Sequence, residues 1–242
     1  MDITKLREID KNFYERLPPS FRNGEYLILP NAMFHYQSHL NELNAVRFII
    51  NHPDASLSVQ TILDLYGALV KGTAYEGNGF KQKSVIISSE KNEHLYVTLP
   101  PEETPAEMEK VCREYEHLNR FTDNMADDMI RLVLIVQCIH PFADGNGRLS
   151  SLLLQFLMYK AGLKCAPILP LDFFKYGQNM SLHTMNIVYA SGAFYGQHPI
   201  VFDRYIEFMS NMVYKSYRCL RDALERYELA NCNSSDARNK NE

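Results

Sequence analysis

A histidine, a carboxylate, two glycines and an arginine fall within nine residues, in His140-Pro-Phe-Ala-Asp144-Gly-Asn-Gly-Arg148. With a reference pKa of about 6.5, the histidine can take a proton from an attacking hydroxyl near neutral pH. Asp144 offers the hard oxygen ligands that Mg²⁺ commonly shares with substrate phosphates. Glycines let a bulky anion approach backbone amides, so Gly145, Asn146 and Gly147 read as a phosphate cradle. Arg148 adds a fixed charge whose fork suits phosphate oxygens. Together these groups describe transfer of a phosphorus group from a nucleotide. Each also has a plainer role: the histidine could end a helix, the Asp-Gly-Asn-Gly run could be only a turn, Asp144 could cap the next helix and Arg148 could be solvated.

Two helices must hold this stretch in place. Upstream, Met129, Leu132, Val133, Ile135, Val136 and Ile139 make a core helix that ends at His140. Pro141 cannot continue it, because proline has no amide donor and crowds the preceding turn. Downstream, Leu149, Leu152, Leu153, Phe156 and Leu157 recur at the spacing of a buried helical face. The glycine loop therefore feeds a second helix at its N-terminus, where the first amides have no intrahelical acceptor and favour anions.

The nine residues resemble the signature of the Fic family, His-Pro-Phe-x-Asp/Glu-Gly-Asn-Gly-Arg-x-x-Arg, at eight of its nine specified positions. The resemblance implies a mainly α, Fic-like helical domain with one β-hairpin flap. It also implies a protein adenylyltransferase that moves AMP from ATP to a Ser, Thr or Tyr hydroxyl, with Mg²⁺ as cofactor. By that likeness His140 is the general base and Asp144 the metal ligand. The Gly145, Asn146 and Gly147 amides form the anion hole, and Arg148 contacts the nucleotide phosphates. The partners implied are a nucleotide and a hydroxyl-bearing target protein, with a homodimer left open.

Two departures qualify the likeness. The second arginine of the signature falls at position 151, where this chain has Ser151; in the family that arginine orients the outer phosphate of ATP. The segment Lys71-Gly-Thr-Ala-Tyr-Glu76-Gly-Asn-Gly79 reads first as a helix terminus with a left-handed cap. It also partly resembles the family's inhibitory motif, Ser/Thr-x-x-x-Glu-Gly/Asn, with Gly72 where the hydroxyl residue belongs. Without the second arginine, Glu76 is expected near the loop, held by the Ser151 hydroxyl or by loop amides. Three other readings stay open: transfer of a different nucleotide or a phosphate, a metal-assisted phosphodiesterase using the same His and Asp, and a non-catalytic binding module.

The rest of the chain supplies scaffold. Its 242 residues, 46% hydrophobic, are enough for a sizeable core, and a net charge of −4 without a basic run argues against a nucleic-acid face. No stretch approaches 18 consecutive apolar residues, so no membrane span is expected. The five cysteines, at 112, 138, 165, 219 and 232, contain no CxxC and read as ordinary thiols of a reducing cytoplasm, with 112 and 138 buried in helices.

Residues 1–34 read as an irregular N-terminal arm, with Tyr26–Pro30 as a short extended piece. Residues 35–230 read as a single helical domain whose Fic-like core spans about 60–215, and 231–242 as a polar, disordered tail. Helices are expected over about 37–51 and 59–70, and from a Thr104–Glu107 capping box to about Leu118. Further helices are expected over about 172–189 and from Pro199 to about Tyr227. Residues 84–99, with a polar turn at Glu90–Glu93, make the hairpin.

Overall fold

The computed structural model describes residues 1–25, 36–88, 95–120, 125–171 and 202–238. It is mainly helical: α1 (Ile3–Arg16), α2 (Pro19–Arg22), α3 (Tyr36–Asn51), α4 (Val59–Val70), α5 (Thr104–Glu114), α6 (Ala126–Ile139), α7 (Asn146–Lys160) and α8 (Asp203–Arg238). Among the described residues, one pair of three-residue strands accompanies them. β1 (Ile86–Ser88) runs antiparallel to β2 (Leu95–Val97), with Ile86 opposite Val97 and Ser88 opposite Leu95. The turn expected at 90–93, the extended piece at 26–30 and the helix expected over 172–189 lie outside the described residues.

The helices α6 and α7 form the centre. Leu132, Val133, Leu134, Val136 and Ile139 of α6 are buried, as are Leu149, Leu153, Leu154, Phe156 and Leu157 of α7. A helix apolar on every side belongs inside a core; α6 packs against α7, α5 and α8, while α4 packs against α3 and α7. Cys112 in α5 and Cys138 in α6 are buried and form no disulfide. No helix among the described residues is long and apolar enough to cross a membrane.

Three expectations are corrected. The N-terminal arm is not irregular: Asp2 caps α1 by accepting from the Lys5 amide at 2.9 Å, and Ile3, Leu6, Asp10 and Phe13 form one buried face. That face is hard to see in sequence because its third member is a carboxylate. Residues 231–238, expected in a disordered tail, instead continue α8, which runs on to Arg238 with no proline or glycine to stop it. Finally, the Thr104–Glu107 box does not form. The Thr104 hydroxyl donates to the Pro100 carbonyl at 2.9 Å, and Glu103 becomes the N-cap without a side-chain bond. The helix itself forms as expected, passing after Glu114 into a short tight turn at Glu116–Asn119.

Candidate active site

The site begins where α6 stops. His140 caps the helix in a left-handed conformation, φ 53° and ψ 62°, the sole positive φ among the described residues other than glycine. Its amide donates to the Val136 carbonyl at 3.0 Å. Side chains with a Cβ seldom adopt this backbone, which is enriched at sites where geometry serves chemistry. The imidazole Nδ1 is buried and makes no well-formed hydrogen bond, while the backbone of Gln137 favours the protonated ring. Burial first, and then the positive charge of Lys81, push the His140 pKa from its ordinary 6.5 down to about 4. At neutral pH the ring is therefore uncharged, with a lone pair available to a proton.

The loop after it is built from the inside. Phe142 is fully buried and stacks on Tyr66 of α4, with ring centroids 3.7 Å apart and planes 11° from parallel. Tyr66, itself buried, has its phenol pushed up to about 12 by desolvation and by the charge of Asp144, so it stays neutral. Asn146 is buried and closes the loop on itself: its Oδ1 accepts from the Phe142 amide at 2.9 Å and its Nδ2 donates to the Phe142 carbonyl at 2.8 Å. The side chain of Asn146 thus faces inward, which leaves its backbone amide as its contribution to any cradle. Gln137, buried in α6, donates to the Asn146 carbonyl at 3.3 Å and to the Ser150 hydroxyl. Ser150 in turn donates to the Gly147 carbonyl at 2.7 Å.

The outer side is different. Gly145 starts α7 in a left-handed conformation, φ 79°, and no side chain caps the helix. Asp144 is therefore not the cap of α7, which removes its plainest structural role. Its carboxylate is about half exposed and lies 3.4 Å from the Arg148 guanidinium. A Cβ added at Gly145 would stand 3.5 Å from the Tyr66 ring and 3.7 Å from Arg148. Space is adequate there; the backbone angle is what asks for glycine.

Among the described residues no cluster of three His, Cys, Asp or Glu side chains could hold a metal ion by itself. Mg²⁺ is usually held by one or two carboxylates together with substrate phosphates. Asp144 has the donor chemistry and the exposure for such a role.

Ser151 is buried within α7 at 2% exposure. Glu76 is exposed, and its carboxylate accepts from the Gly72 amide at 2.9 Å, closing its own turn. The expectation that Glu76 is held by Ser151 or the loop amides is corrected accordingly. A carboxylate one turn from a backbone amide finds the local partner first. Sequence reasoning missed Gln137, Tyr66 and Lys81, all scaffold-borne and joined to the loop only by tertiary packing. The sole advance signal was Gln137, a glutamine inside an otherwise apolar run; Lys81 sits in a polar stretch, Gly79-Phe80-Lys81-Gln82-Lys83, that gives none.

Residues 56–158 match the model of the Fic/DOC family. No curated protein gives a significant match. Among solved structures, a Fic domain containing signaling protein from Bacteroides thetaiotaomicron superimposes with a TM-score of 0.66 at 17% identity, over 93% of this chain and 96% of that one. A Fic family protein from Desulfovibrio desulfuricans gives 0.55 at 16% identity, over 95% of this chain and 66% of that one. Fic-1 from C. elegans gives 0.52 at 13% identity, over 94% and 71%. At these identities the likeness speaks for the fold.

Proposed function

Because this chain carries a Fic/DOC segment over residues 56–158 within a Fic-like fold, we propose that it transfers AMP from ATP to a Ser, Thr or Tyr hydroxyl of a target protein. The observation that carries the reading is the joint geometry of His140 and α7. An uncharged imidazole at one helix end lies across a short loop from a helix start that no side chain caps.

In the reaction the target oxygen attacks the α-phosphorus, a new P–O bond forms, the α–β bridging P–O bond breaks and pyrophosphate leaves. With Nδ1 enclosed, Nε2 of His140 is the nitrogen that takes the hydroxyl proton. Base catalysis of this kind contributes about 10²–10⁴-fold. The amides of Gly145, Asn146 and Gly147 and the Arg148 guanidinium stabilise charge on the phosphates, the larger share of catalysis in phosphoryl transfer. The bound anion also raises the proton affinity of His140, opposing the effect of Lys81. Asp144 would hold Mg²⁺, which when bound supplies charge neutralisation. The strand pair supports docking of the target as an extended segment: Ile86 and Val97, directly opposite each other, are both well exposed. Glu76, occupied by Gly72, is proposed not to inhibit.

A second reading, transfer of a phosphate or a different nucleotide, is favoured by one observation. With Ser151 buried, α7 lacks the second cation that would hold an outer phosphate. Parallel incubations with ATP labelled at the α or the γ phosphorus separate the two. Label on protein from the α position supports adenylylation, and label from γ alone supports phosphate transfer. No protein labelling from either, with no Mg²⁺-dependent nucleotide binding, leaves a binding module.

A further inference from the structure

Lys81 lies outside the loop in sequence and is 3% exposed. Its ammonium donates to the Ile139 carbonyl at 2.9 Å and to the Thr98 hydroxyl at 2.8 Å, and its backbone amide donates to the Pro141 carbonyl at 2.9 Å. One residue thus binds the carbonyl on each side of His140. Thr98 follows β2, and its amide extends the strand pair by donating to the Val85 carbonyl at 3.0 Å. The two acceptors of the ammonium are both neutral. Burying a charge without a counterion is costly, and an apolar side chain of the same length would fill the space more cheaply. Filling space is therefore an insufficient account of a lysine here, whereas the bonds it makes are specific. They pin residues 139 and 141 in the arrangement that a left-handed residue 140 requires.

We propose that Lys81 is a positioning residue, clamping the backbone on both sides of His140 so that its imidazole is held for proton transfer, and tying that clamp to the strand pair through Thr98. The contribution to proton transfer rests on the functional reading above; the clamp does not.

The test compares Lys81→Met, which keeps the length and removes the donor, with Lys81→Arg, which restores a donor. Amide hydrogen exchange in the full chain reads the clamp without any activity. In Lys81→Met the amide of His140 is expected to exchange at least tenfold faster, while that of Val133 in mid-α6 stays within twofold of wild type. Lys81→Arg is expected to recover most of the protection. In the transfer assay Lys81→Met is expected to lower kcat at least tenfold, with the nucleotide KM within twofold. Unchanged exchange at His140, or equal acceleration at Val133, overturns the clamp. Equal losses in kcat and in nucleotide binding overturn the positioning role. Should wild type transfer no label, the functional reading fails while the exchange result still decides the clamp. If Lys81→Met does not fold, Thr98→Val removes one bond alone and is read the same way, with about threefold faster exchange at His140 expected.

Discussion

Two ionisable groups, the buried Asp10 in α1 and the half-buried His140 at the end of α6, are treated in opposite ways. Asp10 is 1% exposed, and its carboxylate accepts from the amides of Lys164 at 2.6 Å and Cys165 at 2.9 Å and from the Tyr217 hydroxyl at 2.6 Å. Burial raises its pKa and those three bonds oppose the rise. His140 has a buried Nδ1 that makes no well-formed hydrogen bond, and burial and then Lys81 bring its pKa down to about 4 against the backbone of Gln137, which favours the protonated ring. The first arrangement saturates a polar group and joins α1, the turn after α7, and α8. The second leaves a base uncharged and underused at the mouth of a glycine loop. The three bonds of Asp10 offset the cost of burying a polar group, whereas at His140 burial keeps the ring neutral and able to take a proton.

Mutation should separate the two regions. His140→Ala is expected to lower transfer by about 10²–10⁴-fold, with nucleotide affinity by calorimetry within twofold of wild type. Asp10→Ala is expected to do the reverse. Three donors, two of them in buried bonds, lose their acceptor, which costs on the order of 3 kcal/mol by urea unfolding, while the transfer rate of the protein that remains folded is kept. Activity lost in proportion to stability in both variants would erase the distinction.

The pH dependence of stability sharpens it further. The folded pKa of His140 lies below the ordinary 6.5 of the unfolded chain, so as pH falls from 6.5 towards 4 the unfolded state binds a proton that the folded state refuses. The stability present above pH 6.5 is lost over that window, by up to roughly 3 kcal/mol. His140→Gln should remove this slope, and unfolding curves at pH 7 and pH 4.5 check it. The smallest effect is assigned to Glu76→Gly, whose carboxylate is exposed and held in its own turn. Nucleotide affinity and transfer rate are expected within twofold of wild type. A rise of tenfold or more in either would return an inhibitory role to Glu76.

What could be read from sequence follows the range of the interactions. The helix ending at His140, the break at Pro141 and the helix starting after Gly145 are set by neighbours, and the structure has them at Ala126–Ile139 and Asn146–Lys160. Helices at Tyr36–Asn51 and Val59–Val70 were equally legible from apolar spacing. The hidden parts are non-local. Asp10 disguised the buried face of α1 because its partners lie more than 150 residues away. Lys81 meets its acceptors 17 and 58 residues on, and nothing in the sequence shows that the Asn146 side chain turns inward to bond both backbone groups of Phe142, leaving its amide for a cradle. Glu76 failed in the opposite direction. A contact with Ser151 or the loop amides was expected, and an amide four residues away takes the carboxylate instead.

The claim beneath all of this is that phosphate settles on the backbone at the start of α7. Titrating isotope-labelled protein with Mg²⁺ and a non-hydrolysable ATP analogue, while following backbone amide resonances, tests it without needing the target protein. The account expects the largest shifts at Gly145, Asn146, Gly147 and Arg148, retained in His140→Ala. Shifts centred on another surface, or none at saturating analogue, would contradict it.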